Sequence, residues 1–417
     1  MMKARQIAYQ CLCDTMLRKQ YASLNMRSLN VESEQDRSLI THIVYGTLRN
    51  YRYVRYQWAS YVRKMPSKEI RVLLDMSTYQ LLMLDKVPAY AVVNEAVEMA
   101  EKINGGSFSK LVNAVLHKIA ENGEIRVNEN DEAVKLAIET SHPDWLVKMW
   151  EAHYGKEVME KIVWDDLKEG RLAMRANTFL TDEASLLKDE HFTAGKTPGS
   201  LYYEGNILNT AYFRDDLVII QSESSQEVAQ VVAPRKGDRI LDMCSAPGTK
   251  GIQMAMMVHN DAEITAVDVH QHRIDLIEKA LEKYGINCVK TMCADSRKLP
   301  ALLPLHSFDK VLLDAPCSGL GTLKHKPEIK SSITSEDIDD IVILQQQLLE
   351  AASLMVANGG TLTYSTCTLN RKENDRQIKG FLALHPEFEL KFEKTIFPFE
   401  SDSDGFYIAN MYKSMVE

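Results

Sequence analysis

The pattern of apolar and polar positions changes twice along the chain. From Ala4 to about Thr140, apolar residues recur every three or four positions, as in RSLITHIVYGTL and IRVLLDMSTYQLLML. This period is typical of amphipathic helices, and breakers such as Pro66 and Pro88 separate the helical runs. The pattern predicts an all-α domain over residues 1–140.

The remaining sequence predicts two further regions. Residues 141–221 mix short helical and strand-like runs, as in GRLAMRANTFLTDEASLLKDE, which is typical of a small α+β module. Arg171 and Arg175 in this module could contact phosphate or remain solvated. In residues 222–417 the runs RILDMC, EITAVDV, FDKVLLDAP and GGTLTYSTC alternate with helical stretches. Such alternation predicts an α/β fold with a parallel sheet covered on both faces, whose ligands bind at the carboxyl ends of the strands.

Composition narrows the class of protein. Apolar residues make up 45% of the chain and charged residues 26%, as in soluble globular proteins. The sequence has no uninterrupted apolar run long enough for a membrane span, and its first residues lack the apolar core of a secretory signal. The seven cysteines form no CxxC pair, so we expect reduced thiols, no metal and a cytoplasmic location.

Charge is distributed unevenly over a chain whose net charge is −9. Residues 1–140 contain 19 Lys and Arg against 16 Asp and Glu, and no acidic residue lies between Arg37 and Lys68. Within this stretch, RNYRYVRYQWASYVRK combines five basic with five aromatic side chains. Such residues can neutralise phosphates and stack on unpaired bases. The alternative is an amphipathic helix with tyrosines inside and arginines outside.

Polar groups follow the first three predicted strands of the C-terminal region. The first strand leads into CSAPGTKG, a tight turn before a helix, and its spacing is not the GxGxxG of dinucleotide sites. Asp268 follows the second strand, where a carboxylate can accept both ribose hydroxyls. Asp295 follows the third and could accept from an exocyclic amine. Alternatively, Asp268 could cap the helix that begins near His270, and Asp295 could fix a turn. Together they predict S-adenosylmethionine as cofactor. The predicted cofactor-binding residues are Cys244, Ser245, Ala246, Pro247, Gly248, Thr249, Lys250, Asp268, Asp295 and Asp314.

Two cysteines follow the next two strands. Asp314 and Cys317 end the fourth strand, and Cys367 ends the fifth. If these strands are neighbours in the sheet, one active site contains all three side chains. A buried structural cysteine is the alternative for either thiol taken alone.

The three segments LDMCSAPGTK, DAPCSG and YSTCTLNRKEN resemble hallmark motifs of RNA 5-methylcytosine methyltransferases of the Sun/NOL/NOP family. DGFYIANMYK resembles the closing strand motif of the family, and QSESSQ resembles the element before its catalytic sheet. The resemblance covers about residue 141 to the end. The preceding helical segment resembles a NusB-type RNA-binding domain, which implies a bacterial enzyme acting on 16S ribosomal RNA. APGTK stands where the family usually has APGGK, and KHKPEIKS stands for RRHPDIKW.

The resemblance implies a Rossmann-like methyltransferase sheet and a role for each side chain. Cys367 is implied as the nucleophile that adds to cytosine C6, and Asp314 as the group that meets N3. Cys317 is implied in releasing the covalent adduct, and Lys250 in supporting Asp314. We further expect a helix N-terminus after the fifth strand to stabilise the Cys367 thiolate.

Other functions stay open from the sequence. The same chemistry on tRNA is one alternative, and a non-catalytic NusB-like RNA-binding assembly factor is another. An amino-directed methyltransferase would need DPPY or NPPY where this chain has DAPC. We expect RNA as the macromolecular partner, no membrane partner, and a monomer.

Overall fold

The computed structural model of the chain describes residues 3–27, 29, 31, 33–401 and 403–415. It divides into two compact units, one formed by residues 1–169 and 323–333, the other by residues 170–322 and 334–417. No helix in these described ranges is long and apolar enough to cross a lipid bilayer.

The first unit is helical, as the apolar period predicts. Its helices are α1 (Ala4–Arg18), α2 (Ala22–Arg27), α3 (Glu34–Arg49), α4 (Tyr51–Ala59), α5 (Lys68–Met83), α6 (Ala89–Lys102), α7 (Ser109–Asn122), α8 (Glu132–Glu139), α9 (Asp144–Tyr154) and α10 (Lys156–Asp165), with a 3₁₀ turn at Asn104–Gly106. Their apolar faces bury a common core that includes Leu12, Ile40, Trp58 and Leu73.

The arginines of the basic and aromatic segment bond largely within this unit. Arg49 donates to the Lys324 carbonyl (3.3 Å). Arg52 donates to the His142 carbonyl (2.7 Å). Arg55 is paired with the fully buried Asp75, which also accepts from the Trp58 indole. These arginines form neither a row of free phosphate contacts nor the solvent-exposed face of the amphipathic-helix interpretation, because Arg49 is buried and Arg52 and Arg55 are half-buried.

Residues 323–333, which include all of KHKPEIKS, belong to the helical unit although strands of the other unit precede and follow them in sequence. Lys324 forms a buried ion pair with Asp165 (2.5 Å). Glu328 accepts from the Ala22 amide (3.2 Å), and Lys330 donates to the Thr140 carbonyl (3.3 Å). These bonds hold residues 323–333 within the helical unit. The segment begins only six residues after Cys317 in sequence.

The second unit contains two sheets. Its strands are β1 (Ala173–Ala176), β2 (Phe192–Ala194), β3 (Ser200–Tyr203), β4 (Val218–Ile220), β5 (Arg239–Asp242), β6 (Glu263–Asp268), β7 (Val289–Cys293), β8 (Phe308–Asp314), β9 (Val356–Thr366), β10 (Phe388–Ile396) and β11 (Phe406–Lys413). The remaining helices in chain order are α11 (Glu183–Leu186), α12 (Ala211–Arg214), α13 (Glu223–Val232), α14 (Thr249–Met257), α15 (Gln271–Lys283), α16 (Ile329–Ser332, in the first unit), α17 (Ser335–Met355), α18 (Asp375–Leu384) and α19 (Pro398–Ser401), with 3₁₀ turns at Ile207–Asn209 and Ser296–Ala301.

The larger sheet has the strand order β10-β11-β9-β8-β5-β6-β7. The five strands from β9 to β7 are parallel to one another. Strand β11 pairs antiparallel with β9, and β10 pairs antiparallel with β11. Apolar residues of the strands pack against helices α13, α14, α15 and α17 in buried clusters. The predicted α/β fold with a methyltransferase-type sheet is confirmed, and the antiparallel edge extends the predicted parallel sheet.

The smaller sheet is antiparallel, in the order β2-β3-β1-β4, and forms the α+β part predicted before the catalytic sheet. Arg175 of β1 is buried and donates to Gln221 (2.8 Å), and burial lowers its pKa to about 10. Arg171 lies over the Tyr202 ring, 4.3 Å from its centroid. Helices α9 and α10 group with the first unit. The functional organisation into 1–140, 141–221 and 222–417 stays a prediction.

A close backbone contact between Gly321 and Gly405 predicts the effect of adding a methyl group. A Cβ built on Gly321 would lie 2.0 Å from the Gly405 carbonyl oxygen. We expect Gly321→Ala to lower the free energy of unfolding by about 1–3 kcal/mol, because the backbone must shift. Gly380, exposed in α18 with nothing near its Cβ position, is the control, and Gly380→Ala should stabilise by about 0.5–1 kcal/mol. Differential scanning calorimetry measures the free energy of unfolding of both variants. Equal changes in the two variants would contradict the close contact between Gly321 and Gly405.

Candidate active site

The parallel pairing of β8 with β9 brings two thiols together. Asp314 lies opposite Ser365 in this register, so the segments that follow the two strands leave the same edge of the sheet. The Cys317 and Cys367 sulfurs are 3.2 Å apart although 50 residues separate them in sequence. Both cysteines are free thiols. The structure therefore joins the two cysteines that the sequence placed at neighbouring strand ends.

Asp314 is held at the same edge by two side chains. The Lys250 ammonium lies 2.7 Å from its Oδ2, and the Ser365 hydroxyl donates to its Oδ1 at 2.7 Å. Burial alone would lower the pKa of Lys250, but Asp314, and less strongly Asp242 and Cys367, raise it above its ordinary value. Lys250 is therefore a charged ammonium that acts on both the carboxylate and the Cys367 thiol.

The two thiols differ in their surroundings. The hydrogen bond with Cys367 and burial raise the pKa of Cys317 well above its ordinary value, and the charge of Glu373 raises it further. Cys317 thus keeps its proton and can donate it along the short contact between the sulfurs. The positive charge of Lys250 favours the negatively charged thiolate form of Cys367.

The segment after Cys367 corrects one expectation. Residues 368–374 form a loop with a turn, and α18 begins only at Asp375, eight residues beyond the thiol. The helix N-terminus expected after the fifth strand is therefore present but does not directly follow Cys367, because the side chains of Thr368, Asn370 and Asn374 make hydrogen bonds within the intervening loop that compete with a helix. The positive charge near the thiol comes instead from Lys250.

Glu373 is a buried carboxylate that joins the loops carrying the two thiols, and it was not among the predicted site residues. One of its oxygens accepts from the Ser318 amide (2.9 Å), and the other from the Ser318 hydroxyl (2.6 Å). Asn370 and Gln345 donate to it as well (3.0 and 3.2 Å). These bonds hold Ser318, next to Cys317, against the loop that follows Cys367. The network could not be found from local sequence, since its members are up to 55 residues apart.

The turn after β5 forms as the sequence predicts. Cys244, Ser245, Ala246 and Pro247 precede Gly248, whose amide donates to the Ser245 carbonyl (2.7 Å). Gly248 adopts a φ of 93°, and Thr249 begins α14. The positive φ therefore falls on the glycine, which explains why threonine is accommodated at the next position, where the APGGK motif that this turn resembles has a second glycine. Burial raises the pKa of the Cys244 thiol, so it stays protonated.

Three aspartates lie at the carboxyl ends of β5, β6 and β7. Burial raises the pKa of Asp242 to about 7, and its Oδ1 has no hydrogen-bond partner among the described residues. Asp268 accepts from the His270 amide (3.1 Å) and from Arg273 (3.2 Å). Asp295 accepts from the Arg297 amide and guanidinium (3.0 and 2.7 Å), so it caps its own turn. Asp242 was not predicted as a site residue, although it lies two residues before the quoted turn.

Metal binding finds no support in the arrangement of side chains. Over the described part of the chain, no group of three or more His, Cys, Asp or Glu side chains is placed to hold a metal ion.

The position of Lys250 predicts the reactivity of Cys367. Lys250→Ala should slow alkylation of Cys367 by iodoacetamide at neutral pH and move the rate profile to higher pH, because the neighbouring ammonium no longer favours the charged thiolate. Peptide mass spectrometry with time follows each cysteine separately. Lys279→Ala, at an exposed position of α15, is the control. An unchanged Cys367 profile in Lys250→Ala would show that the ammonium does not act on this sulfur.

Comparisons with known proteins cover both units. A family model described as 16S rRNA methyltransferase RsmB/F matches residues 229–412, and the NusB family matches residues 2–121. The chain is 35% identical to a probable ribosomal RNA small subunit methyltransferase B of Bacillus subtilis, over 98% of both chains. It is 32% identical to the protein of the same description from Synechocystis, over 99% of this chain and 100% of that one.

Solved structures agree at the level of the fold. The structure named PH0851 has a TM-score of 0.81 at 24% identity and covers 98% of this chain and 97% of that one. A methyltransferase homologue from Pyrococcus horikoshii has a TM-score of 0.61 at 25% identity and covers 68% of this chain and all of that one. The full-length similarity to the Bacillus subtilis protein, together with the two family matches, shows that this chain belongs to the family of ribosomal RNA small subunit methyltransferase B.

Proposed function

We propose that this methyltransferase transfers a methyl group from S-adenosylmethionine to C5 of a cytosine in 16S ribosomal RNA, through a covalent bond between Cys367 and cytosine C6. The 3.2 Å contact between Cys317 and Cys367 carries the proposal. Two thiols beside the Lys250–Asp314 ion pair are what a cycle of thiol addition and thiol release requires. The relatives' descriptions as small subunit methyltransferases support ribosomal RNA as the substrate.

The residues at the ends of β5 and β6 fit the proposed cofactor. Asp268 is almost fully buried, and each of its oxygens retains a lone pair for a ribose hydroxyl. The unpartnered Oδ1 of Asp242 offers a further acceptor within the described residues. S-adenosylmethionine supplies an electrophilic methyl group. Asp295 is occupied by Arg297, so its contact with an exocyclic amine rests only on its position after the third strand of the predicted set.

Activation of the base begins with the thiolate. Cytosine C5 is a weak nucleophile, and addition of the Cys367 thiolate to C6 makes the ring electron-rich at C5. Lys250 stabilises the thiolate before it adds. Asp314, fixed by Lys250 and Ser365, meets N3. As negative charge builds up on the ring, Asp314 passes to N3 a proton drawn from the Lys250 ammonium with which it is hydrogen-bonded, and it takes that proton back when the thiol is released.

Release reverses the addition. Once C5 carries the methyl group, a water molecule takes the C5 proton, and the electron pair of the C5–H bond forms the C5=C6 double bond. The bond between C6 and the Cys367 sulfur then breaks, and the electron pair of that bond returns to the sulfur. Cys317, protonated and in contact with this sulfur, donates a hydrogen bond to the leaving thiolate. The overall change replaces the C5 proton with a methyl group. Glu373 keeps the two loops in register throughout.

The target cytosine must leave any base stack, because a thiol approaches C6 from one face of the ring. Unpaired or easily flipped positions are therefore the proposed targets. The same chemistry on tRNA is the second candidate. A non-catalytic assembly factor has no use for two thiols in contact beside a Lys–Asp pair.

Substitution of each cysteine separates their roles. We expect Cys367→Ala to abolish methyl transfer, because the ring is not activated. Cys317→Ala should form the adduct with Cys367 but release it slowly, so that protein remains attached to RNA. A denaturing gel of enzyme, RNA and cofactor shows this as a retarded band. Cys288→Ala, at a free cysteine just before β7 and at the opposite end of that strand from the site, is the control. The absence of a retarded band for Cys317→Ala would refute its role in release.

The modified base and RNA are identified by bisulfite sequencing. RNA from cells with and without the gene should differ at one or a few cytosines of 16S ribosomal RNA, because 5-methylcytosine resists deamination by bisulfite. A difference confined to tRNA would establish the second candidate. No difference in either RNA would contradict transfer to C5.

A further inference from the structure

A basic cavity of about 520 Å³ lies wholly within the helical unit. Four separate stretches of the chain contribute to it: the end of α1, the segment from α4 to α5, the start of α9, and residues 330–333. None of the described residues that line it is acidic, in a chain whose net charge is −9. The lining includes five basic side chains: Lys19, Arg55, Lys68, Arg71 and Lys330.

The cavity contains more positively charged side chains than its ion pairs neutralise. Arg55 is paired with the buried Asp75, which cancels one charge. Arg71 donates to the neutral Pro66 carbonyl (2.8 Å), and Lys19 and Lys68 are exposed at the rim. An excess of positive charge in a concave site with low-dielectric walls attracts and holds anions.

Lys330 contributes a buried charge whose desolvation Asp166 offsets only in part. It is 1% exposed, and its ammonium donates to the Thr140 carbonyl at 3.3 Å. Burial lowers its pKa to about 8, an effect that Asp166 opposes and Arg49 reinforces. A lysine buried at the wall of a basic cavity gains stability when a phosphate enters, since the anion offsets its desolvation.

Aromatic side chains line the cavity alongside the basic ones. Tyr51 and Trp145 both line the cavity. An aromatic ring can stack on any base, and basic groups bind the adjoining phosphate, which is the combination used by proteins that bind single-stranded nucleic acid. The volume is within the range of sites for small organic ligands.

We propose that this cavity binds one unpaired nucleotide of the substrate RNA, with the lysines on its phosphate and the base against Tyr51 or Trp145. The inference rests on the proposed action on RNA and adds a second RNA site, in the helical unit. Lys330 and Ser331 of its wall belong to the segment that continues the chain from the Cys317 loop.

The test compares two matched pairs of neutralised lysines. Lys19→Gln with Lys68→Gln removes two charges at the rim, and Lys102→Gln with Lys110→Gln removes two exposed charges that do not line the cavity. Fluorescence anisotropy with a single-stranded RNA is measured at several salt concentrations for the full chain. We expect the rim pair to weaken binding and to reduce the slope of log K against log salt by about 0.7 for each phosphate that the protein no longer neutralises. The control pair should reduce the slope less.

Competition identifies the ligand within the same experiment. A nucleoside monophosphate should displace RNA from the wild-type chain more effectively than inorganic phosphate does, because only the nucleotide carries a base. Equal competition by the two would contradict the aromatic part of the proposal. Equal slopes for the rim and control pairs would overturn the site.

Methyl transfer to 16S ribosomal RNA is assayed on the same preparations. The rim pair should raise KM and leave kcat near the wild-type value. Failure of the wild-type chain to methylate would count against the proposed function, whereas the anisotropy comparison would still decide whether the cavity binds RNA.

Discussion

The active site depends on the parallel pairing of β8 with β9. This register places Asp314 opposite Ser365, so both strands deliver their following residues to one edge of the sheet. Residues far apart in sequence are thereby brought together, and the sulfurs of Cys317 and Cys367 lie 3.2 Å apart. A one-residue slip of β9 would turn every side chain to the other face. The hydrogen bonds of Glu373 across the two loops hold the thiols together beyond the sheet itself.

The charged groups around Cys317 and Cys367 act differently on the two thiols. Lys250 lies near Asp314 and acts on Cys367, whereas Cys317 is buried against Cys367 and feels the charge of Glu373. Burial strengthens each of these electrostatic effects, because water does not screen them. The result is one sulfur suited to attack and one suited to remain protonated. The proposed cycle of thiol addition and release needs this asymmetry, and the contacts of this chain provide a physical basis for it.

The fold and much of the site could be predicted because they follow local patterns. Strand-like runs ended at Asp268, Asp314 and Cys367, and parallel strands place such residues at a common edge. Features set by distant contacts could not be predicted. The Glu373 network spans separated loops, a loop of seven residues separates Cys367 from the helix that follows, and Arg52 and Arg55 bond inside the helical unit. Nothing local in KHKPEIKS shows that residues 323–333 pack with the N-terminal helices.

The central claim is that both thiols and the methyl donor share one site at the carboxyl edge of the sheet. A crystal structure of the chain with S-adenosylhomocysteine tests it most directly. We expect the cofactor product between the ends of β5 and β6, with its sulfur facing a cavity that both cysteine sulfurs enter. Cysteine sulfurs out of contact with each other, or a cofactor product bound away from Asp242 and Asp268, would contradict it.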